Sequence, residues 1–152
     1  MDKEGSIEQP LLTEVDLTVA MYDIDYNGHV NNIVYVRWLE DMRMAGFEKI
    51  ASMQKCLQDG YLPVLLKTSI EYKRSIELFQ KPKGRIWVTN YTNTTFTIEL
   101  EISVDGHLCA KAVQTLVFLK QSSMKPTRIP PYVMQNLRKS AVVVRPQPNT
   151  LA

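Results

Sequence analysis

Hydrophobic and polar positions alternate along the first patterned stretch of the chain. In residues 11–20 one parity holds Leu11, Thr13, Val15, Leu17 and Val19, while Glu14, Asp16 and Thr18 share the other. A period of two places alternate side chains on opposite faces of an extended segment. The pattern therefore predicts a half-buried strand over residues 11–20.

The period changes after a polar loop that runs from Asp23 to Asn32. Apolar residues then recur at helical spacing, and polar side chains are confined to one narrow face. A helix that is apolar around most of its girth is typically buried. We predict a buried helix that starts at Asn31 or Asn32, either of which can cap it, and ends near Ile50 or Ala51.

Most of the chain after Gly60 has the pattern of strands. Asp105-Gly106 is a strong signal for a two-residue hairpin turn. Pro130-Pro131 is expected to open a short helix over about residues 132–139, since proline is favoured at helix starts. The predicted strands are residues 62–75, 85–93, 95–104 and 107–120.

This order of elements predicts an α+β fold, in which a five-stranded antiparallel sheet wraps one long central helix. Such a sheet retains exposed edges, which proteins usually cover or protect. We therefore expect a dimer on physical grounds. One domain is predicted over residues 11–140, with flexible tails at 1–10 and 141–152.

Composition narrows the classes of function. The chain has 152 residues, 45% of them hydrophobic and 22% charged, which suits one globular domain. No apolar run approaches the roughly 18–20 residues of a membrane span, and the acidic N-terminus is unlike a secretory signal. A net charge of +2 is too weak for a dedicated nucleic-acid binder. Cys56 and Cys109 lie outside any C-x-x-C motif, which favours free thiols and a reduced, cytoplasmic compartment.

The loop before the long helix holds the richest set of reactive side chains. Residues 22–32 include Asp23, Asp25, His29 and three asparagines. Backbone N–H groups at a helix start carry partial positive charge and can bind a polarised carbonyl oxygen. A carboxylate beside them can attack that carbonyl or activate water. The loop is therefore a candidate hydrolytic site, with the backbone N–H groups near residues 28–31 as candidate donors to the carbonyl oxygen.

Other side chains of the loop have compatible roles. His29 can hydrogen-bond to the carboxylate, the water or the leaving group, and Asn27 can donate to an oxyanion or orient the histidine. Gly28 lets a substrate approach the backbone closely. Two alternatives stay open from these residues alone. Asx and Gly clusters before helices often serve only as turns and caps. A metal site of Asp23, Asp25 and His29 is also chemically feasible, although no second cluster of ligands lies at a matching spacing.

The loop and the first turns of the helix resemble the hotdog-fold acyl thioesterases. The matching motif reads Asp23-x-Asp25-x-Asn27-Gly28-His29-Val30-Asn31-Asn32-x-x-Tyr35-x-x-Trp38-x-Glu40. It is similar to the 4-hydroxybenzoyl-CoA thioesterase superfamily, and the loop is most similar to the acyl-acyl-carrier-protein thioesterases. A second block, Ile70-Glu71-Tyr72-Lys73-Arg74, is similar to the family's second strand. The resemblance covers about residues 12–120.

The resemblance implies hydrolysis of an acyl-CoA or acyl-carrier-protein thioester, with no metal or redox cofactor. It also implies dimers or dimers of dimers, with active sites at the subunit interface. Asp25 is expected to act as nucleophile or general base, together with Asn27 and His29. The residues expected to bind substrate are Gly28, Val30, Asn31, Asn32, Tyr35, Trp38, Lys73 and Arg74.

The chain departs from the family pattern after the second block. Ser75 and Ile76 stand where the plant-type acyl-acyl-carrier-protein thioesterases carry an acidic residue and a cysteine. A supporting acid is therefore absent, or its role moves to Glu40 or Glu71. Glu40 is better explained as an ion-pair partner on the helix surface. His107, directly after the hairpin turn, is expected to be solvated rather than functional.

Substrate contacts outside the loop are also expected. The acyl chain is expected to lie against the apolar helix near Tyr35, Trp38 and Met42. The phosphates of coenzyme A are expected among a set of cations: Lys67, Lys73, Arg74, Lys81, Lys83, Arg85, Lys120, Lys125 and Arg128. The rival hypothesis is a hotdog domain that binds acyl-CoA without hydrolysing it, because fold alone does not decide function. The His and Asp arrangement of hotdog dehydratases is not found in the sequence.

Overall fold

The computed structural model describes residues 9–140. The predicted tail at 141–152 lies outside the described residues, and so does the predicted tail at 1–10 except for Gln9 and Pro10. The strands are β1 Thr13–Asp16, β2 Tyr61–Tyr72, β3 Lys83–Tyr91, β4 Thr95–Val104, β5 His107–Lys120 and β6 Lys125–Thr127. The helices are α1 Asn32–Ile50, α2 Met53–Gln58 and α3 Pro131–Lys139, with a 3-10 turn at Met21–Asp23.

The strands form one antiparallel sheet in the order β1-β3-β4-β5-β2, and β6 pairs with β5. The predicted α+β fold is thus confirmed, with α1 packed against the sheet. The sixth strand was not predicted. It has three residues, Lys125–Thr127, and contains Pro126, so it carries too little pattern to be recognised.

Local signals placed several elements accurately. The turn between β4 and β5 has left-handed backbone at both central residues, with φ of 50° at Asp105 and 78° at Gly106. Asp-Gly is favoured at such hairpin turns because both residues tolerate positive φ. The β4 and β5 boundaries are those that the sequence predicted, and α3 starts at Pro131, one residue earlier than expected.

The long helix begins and ends where the sequence placed it. Asn31 is the N-cap, and its side-chain oxygen accepts a 3.0 Å hydrogen bond from the Ile33 N–H. The expectation that α1 is buried around most of its girth is wrong. Ile33 is 73% exposed and Val36 50% exposed, because the sheet covers only one side of the helix in the single chain.

The first two strands are shorter than predicted. β1 covers only Thr13–Asp16, since Leu11 adopts a φ of 59° and is not extended. β2 ends at Tyr72 rather than at residue 75, and the N–H groups of Lys73 and Arg74 both donate to the Cys109 carbonyl. These two residues therefore leave the sheet ladder and turn toward the loop that precedes α1.

The core lies between α1 and the sheet, and α3 closes one end of it. Fully buried side chains come from each of these layers: Leu39 and Met42 from α1, Leu100 and Phe118 from the sheet, and Leu137 from α3. Asn136 of α3 donates to the Ile50 carbonyl at the end of α1. The opposite end of α1, where the reactive loop ends, is left open to solvent.

No helix within residues 9–140 has both the length and the apolar content that a membrane crossing requires.

Candidate functional site

The reactive loop is a tight hairpin that ends at the start of α1. Ile24 and Val30 face each other in an antiparallel bridge, and the Asp25 N–H donates to the His29 carbonyl at 2.9 Å. The Gly28 N–H donates to the Asp25 carbonyl at 3.0 Å, and Gly28 has a φ of 78°. A side chain at this backbone conformation is strained, which explains glycine at the tip. Asp25 and His29 are thereby held on neighbouring arms of one loop.

The three predicted catalytic side chains line the same cleft. Asp25, Asn27 and His29 contribute to an open cleft of about 520 Å³. Its other wall is the segment 72–75 that follows β2. Asp25 and His29 are half-buried, and Asn27 is exposed. The cleft therefore offers a carboxylate, an amide and an imidazole to one small molecule or chain.

One oxygen of the Asp25 carboxylate is already engaged. Oδ1 accepts a 2.9 Å hydrogen bond from the Asn27 N–H, as in an Asx turn. No hydrogen bond from residues 9–140 reaches Oδ2. Hydrogen bonding at Oδ1 fixes the carboxylate while Oδ2 remains available to water or substrate.

The backbone donors differ from those that the sequence suggested. The N–H groups of Gly28, Val30 and Asn31 donate to the carbonyls of Asp25, Ile76 and Asp23, respectively, at 2.8–3.0 Å. The expectation that this run of N–H groups holds a carbonyl oxygen is therefore wrong for these three. Within the described part of the chain, the N–H groups of His29 and Asn32 have no acceptor.

Most of the residues expected to bind substrate do line the cleft, while Gly28 forms the loop tip beside it. The lining members of that set are Val30, Asn31, Asn32, Tyr35, Lys73 and Arg74. Trp38 does not line it: the side chain is 2% exposed and lies against Tyr35 at a centroid distance of 5.4 Å. Met42 is fully buried. The apolar face of α1 is thus occupied by the protein's own core.

Two tyrosines form the apolar part of the cleft wall. Tyr35 and Tyr72 meet edge to face at 5.1 Å, and the Tyr72 hydroxyl donates to the Asn32 carbonyl at 3.2 Å. Burial, with smaller effects of Cys109 and Tyr72, raises the pKa of Tyr35 from 10.0 to about 12. Burial likewise raises the pKa of Tyr72. Both rings are therefore neutral hydrogen-bonding groups near neutral pH.

The structure brings only two of the nine expected phosphate-binding cations to the cleft. Lys73 and Arg74 line it. Lys81, Lys83 and Arg85 line a separate groove of about 1020 Å³ near β1 and the β4–β5 turn. Lys67 is exposed at a bulge in β2, Lys120 and Lys125 pair across β5 and β6, and Arg128 follows β6.

Neither Glu40 nor Glu71 takes the place of the acidic residue that the family pattern includes. Glu71 pairs with Lys73 at 3.2 Å, and Glu40 lies 4.0 Å from Arg43 on the surface of α1. Neither carboxylate lines the cleft, whereas the Ser75 side chain does. Ser75 therefore occupies the position with a hydroxyl in place of a carboxylate.

The alternative of a metal site gains no support from the geometry. The Asp23 carboxylate is buried, accepts a 2.9 Å hydrogen bond from Arg37 and does not line the cleft with Asp25 and His29. Among residues 9–140, no three His, Cys, Asp or Glu side chains are grouped closely enough to hold a metal ion.

His107 is exposed at the start of β5, as the sequence predicted.

Both cysteines are buried free thiols, and neither lines the cleft. The Tyr132 hydroxyl donates to the Cys56 sulfur at 3.5 Å. Burial raises the pKa of the Cys109 thiol, which keeps it protonated. The cysteines are therefore structural side chains rather than nucleophiles.

Three cleft residues were not identified from the sequence: Tyr26, Tyr72 and Ser75. Tyr72 belongs to the block that resembles the family's second strand, so the sequence marked this residue but assigned it no function. Tyr26 lies at the loop tip and is 97% exposed, and its residue type carries no signal of its own. Ser75 was visible only as a departure from the family pattern.

A family model described as "Thioesterase-like superfamily" matches residues 19–137 of the chain. This span contains the whole loop, the long helix and nearly all of the sheet. No curated protein matches the chain.

Several solved structures are similar to this one. A DHNA-CoA thioesterase from Staphylococcus aureus is 22% identical, with 84% of this chain and 89% of that chain covered and a TM-score of 0.78. A Thermus thermophilus thioesterase complexed with coenzyme A and Zn is 22% identical, with coverage of 88% and 96% and a TM-score of 0.74. A hypothetical Staphylococcus aureus protein in complex with CoA is 14% identical, with coverage of 92% and 92% and a TM-score of 0.80. At such low identity the likeness establishes the fold, which is the hotdog fold that the loop motif predicted.

Proposed function

The chain belongs to the thioesterase-like superfamily, and on that premise we propose that it hydrolyses an acyl thioester to a free acid and a thiol. The observation that carries this proposal is that Asp25, Asn27 and His29 line one cleft at the start of α1. A carboxylate can act as base or nucleophile, an amide can donate to an oxyanion, and an imidazole can move a proton, which are the roles that acyl transfer to water needs. The reaction requires no metal or redox cofactor.

Asp25 is the group that starts the reaction. Its Oδ2 either attacks the thioester carbonyl carbon or removes a proton from the water that attacks it. The C–S bond then breaks, and the departing sulfur takes a proton as the free thiol. Where water attacks, the free acid forms in the same step. Where Asp25 attacks, a mixed anhydride forms on its carboxylate, and water then hydrolyses it to the free acid and restores Asp25. His29, which also lines the cleft, orients the water or protonates the leaving sulfur.

The negative charge that develops on the carbonyl oxygen needs a donor. Asn32 is the first residue of α1, and its N–H has no acceptor among the described residues. The positive end of the helix dipole lies at the same place. We assign the oxyanion to the Asn32 N–H and the exposed amide of Asn27, in place of the N–H groups that the loop uses internally.

The carrier of the acyl group is coenzyme A or acyl carrier protein, both of which present a phosphopantetheine thiol. Lys73 and Arg74 border the cleft and are placed to meet the anionic part of the carrier. Two structural neighbours are complexes with coenzyme A, which favours testing that carrier first. A neighbour described as a DHNA-CoA thioesterase is a reason to include aromatic acyl groups in the test.

The acyl group contacts Tyr72, which is 43% exposed, near the reacting carbonyl, and the buried Tyr35 packs behind Tyr72. Trp38 packs against Tyr35, and both Trp38 and Met42 are buried, so neither touches substrate. The rest of the acyl chain needs an apolar wall that residues 9–140 of one chain do not provide at this cleft. The proposed site is therefore completed only when copies of the protein assemble.

We assign that wall to a second copy, in a homodimer or a homotetramer. The 12-residue strand β2 is an edge of the sheet, and Leu65 and Leu66 on it are 37% and 51% exposed. Ile33 and Val36 of α1 are also exposed. A copy that pairs with β2 would cover an edge and lie beside Tyr72, at the border of the cleft.

A thiol-release assay tests hydrolysis directly. Short, medium, long and aromatic acyl groups are each presented on coenzyme A and on acyl carrier protein, and the free thiol is followed. Release above the uncatalysed rate for any pair supports the enzyme. Saturable binding of an acyl-CoA with no thiol release would establish the alternative, a non-catalytic sensor or scaffold.

Two further expectations accompany the proposal. The KM for the carrier should rise with salt, because Lys73 and Arg74 would be screened from its phosphates. A cytoplasmic location is proposed from Cys56 and Cys109, which are buried and not bridged to each other.

A further inference from the structure

Asp23 is the single buried carboxylate among residues 9–140, and the reaction does not use it. Its side chain is about 1% exposed and does not line the cleft. A buried carboxylate is unfavourable unless it is paired and hydrogen-bonded. Its retention beside Asp25 therefore calls for a physical reason.

Asp23 joins three separate parts of the site. Its Oδ1 accepts a 2.9 Å hydrogen bond from Nη2 of Arg37, in the second turn of α1. Its Oδ2 accepts one of 2.8 Å from the Ala20 N–H, in the segment that enters the loop. Its carbonyl accepts a third of 2.8 Å from the N–H of Asn31, the N-cap of α1.

These contacts fix the base of the reactive loop. The Asp23–Asn31 hydrogen bond joins the two arms of the loop next to the Ile24–Val30 bridge, on the side away from the loop tip. Asp25 lies two residues nearer the tip than Asp23 on one arm, and His29 lies two residues nearer the tip than Asn31 on the other. A shift of Asp23 relative to α1 therefore moves Asp25 and the Asn32 N–H with respect to each other.

Resting on the proposed function, we infer that Asp23 and Arg37 are positioning residues, which hold Asp25 in register with the start of α1. Arg37 contributes no group to the cleft. It acts by compensating the buried charge of Asp23, so that the loop base stays attached to the helix. Misplacement of a reacting group by about 1 Å can lower a rate by about a hundredfold.

Kinetics of Arg37 variants test this role. Arg37→Met keeps most of the side chain's length and removes its charge, and we expect kcat to fall at least about tenfold while KM changes less. Arg37→Lys retains a donor and should restore part of kcat. The matched control is Lys55→Met on α2, outside the cleft. It removes the exposed 3.0 Å ion pair between Lys55 and Asp59 and should leave kcat unchanged.

A second background separates positioning from general damage. If Arg37 acts through Asp25, Arg37→Met should cause little further loss of kcat once Asp25→Asn is present. An equal loss in both backgrounds overturns the inference, as does a wild-type kcat for Arg37→Met. A loss that Arg37→Lys does not relieve at all also counts against it.

Hydrogen exchange keeps the inference testable if the protein releases no thiol. In Arg37→Met, amide protection should fall in residues 23–31 and stay unchanged in β4 and β5. Absence of thiol release in the wild type would overturn the proposed function alone. Unchanged protection of residues 23–31 would overturn the positioning role whatever the activity.

Discussion

Met42 of the long helix lies directly over Gly84 of β3. A β-carbon built on Gly84 would stand 2.7 Å from the Met42 sulfur, closer than real β-carbon contacts. Met42 is fully buried, so any shift that a β-carbon on Gly84 would force on its side chain must take place within the core. The absence of a side chain at Gly84 thus sets how closely α1 approaches the sheet.

Gly84→Ala is therefore expected to lower the free energy of unfolding by about 1–3 kcal/mol, since an added methyl overpacks the core. Met42→Ala alone should cost about 2–5 kcal/mol through the cavity it leaves. Because the truncated Met42 makes room for the new methyl, the double variant should lose less than the sum. Strictly additive losses in urea unfolding would show that the two residues do not compete for space.

Loss of the helix cap has a smaller expected effect. Asn31→Ala removes the oxygen that accepts from the Ile33 N–H at 3.0 Å, and should cost about 0.5–2 kcal/mol of stability. Asn32→Ala is the matched control, because no hydrogen bond from its side chain is found within residues 9–140. Equal stabilities of the two variants in thermal unfolding would speak against Asn31 as the cap.

Stability should fall at high pH partly through Tyr35. Because burial raises the pKa of Tyr35 from 10.0 to about 12, the folded chain holds the phenolic proton more tightly than the unfolded chain. The resulting stabilisation is complete below pH 10.0 and is lost as the pH rises toward about 12. Tyr35→Phe should therefore show a shallower fall across this interval in urea unfolding.

The control for the pH measurement is Tyr26→Phe, which removes a phenol that is 97% exposed. Its stability should follow the wild-type curve. If the Tyr35→Phe and wild-type curves run parallel over the whole interval, Tyr35 is not a source of the pH dependence.

Charge on the exposed edge strand should weaken self-association. Leu66 of β2 is 51% exposed, and Leu66→Lys would place a lysine in the proposed subunit contact. Sedimentation equilibrium should show a larger monomer fraction for Leu66→Lys than for the wild type. Met124→Lys, at a residue 60% exposed in the β5–β6 turn, should associate like the wild type. A wild-type chain that stays monomeric at every concentration would refute the proposed assembly.

Features that depend on neighbouring residues were predictable from the sequence. The Asp105-Gly106 turn and the cap at Asn31 each rest on local backbone geometry, so a few residues sufficed to place them. The loop motif likewise indicated a cleft that contains Asp25 and His29. In all these positions, local chemistry and the final fold agree.

Features that depend on contacts between residues far apart in sequence were not predictable. Helical periodicity showed that Trp38 and Ile33 are apolar positions, but not that the sheet covers Trp38 and leaves Ile33 exposed. The ion pair of Asp23 with Arg37 joins residues 14 apart in sequence, and nothing in their spacing marks it. Which loop N–H groups are free also depends on acceptors elsewhere in the chain, such as the Ile76 carbonyl.

The most direct test of the proposed mechanism is thiol release by Asp25→Asn. The amide keeps the size of the side chain and removes the oxygen that attacks or accepts a proton, so kcat should fall about a hundredfold or more. Asp16→Asn, at an exposed carboxylate of β1 outside the cleft, is the matched control and should retain wild-type turnover. Near-native turnover by Asp25→Asn on the best acyl thioester would contradict catalysis by Asp25.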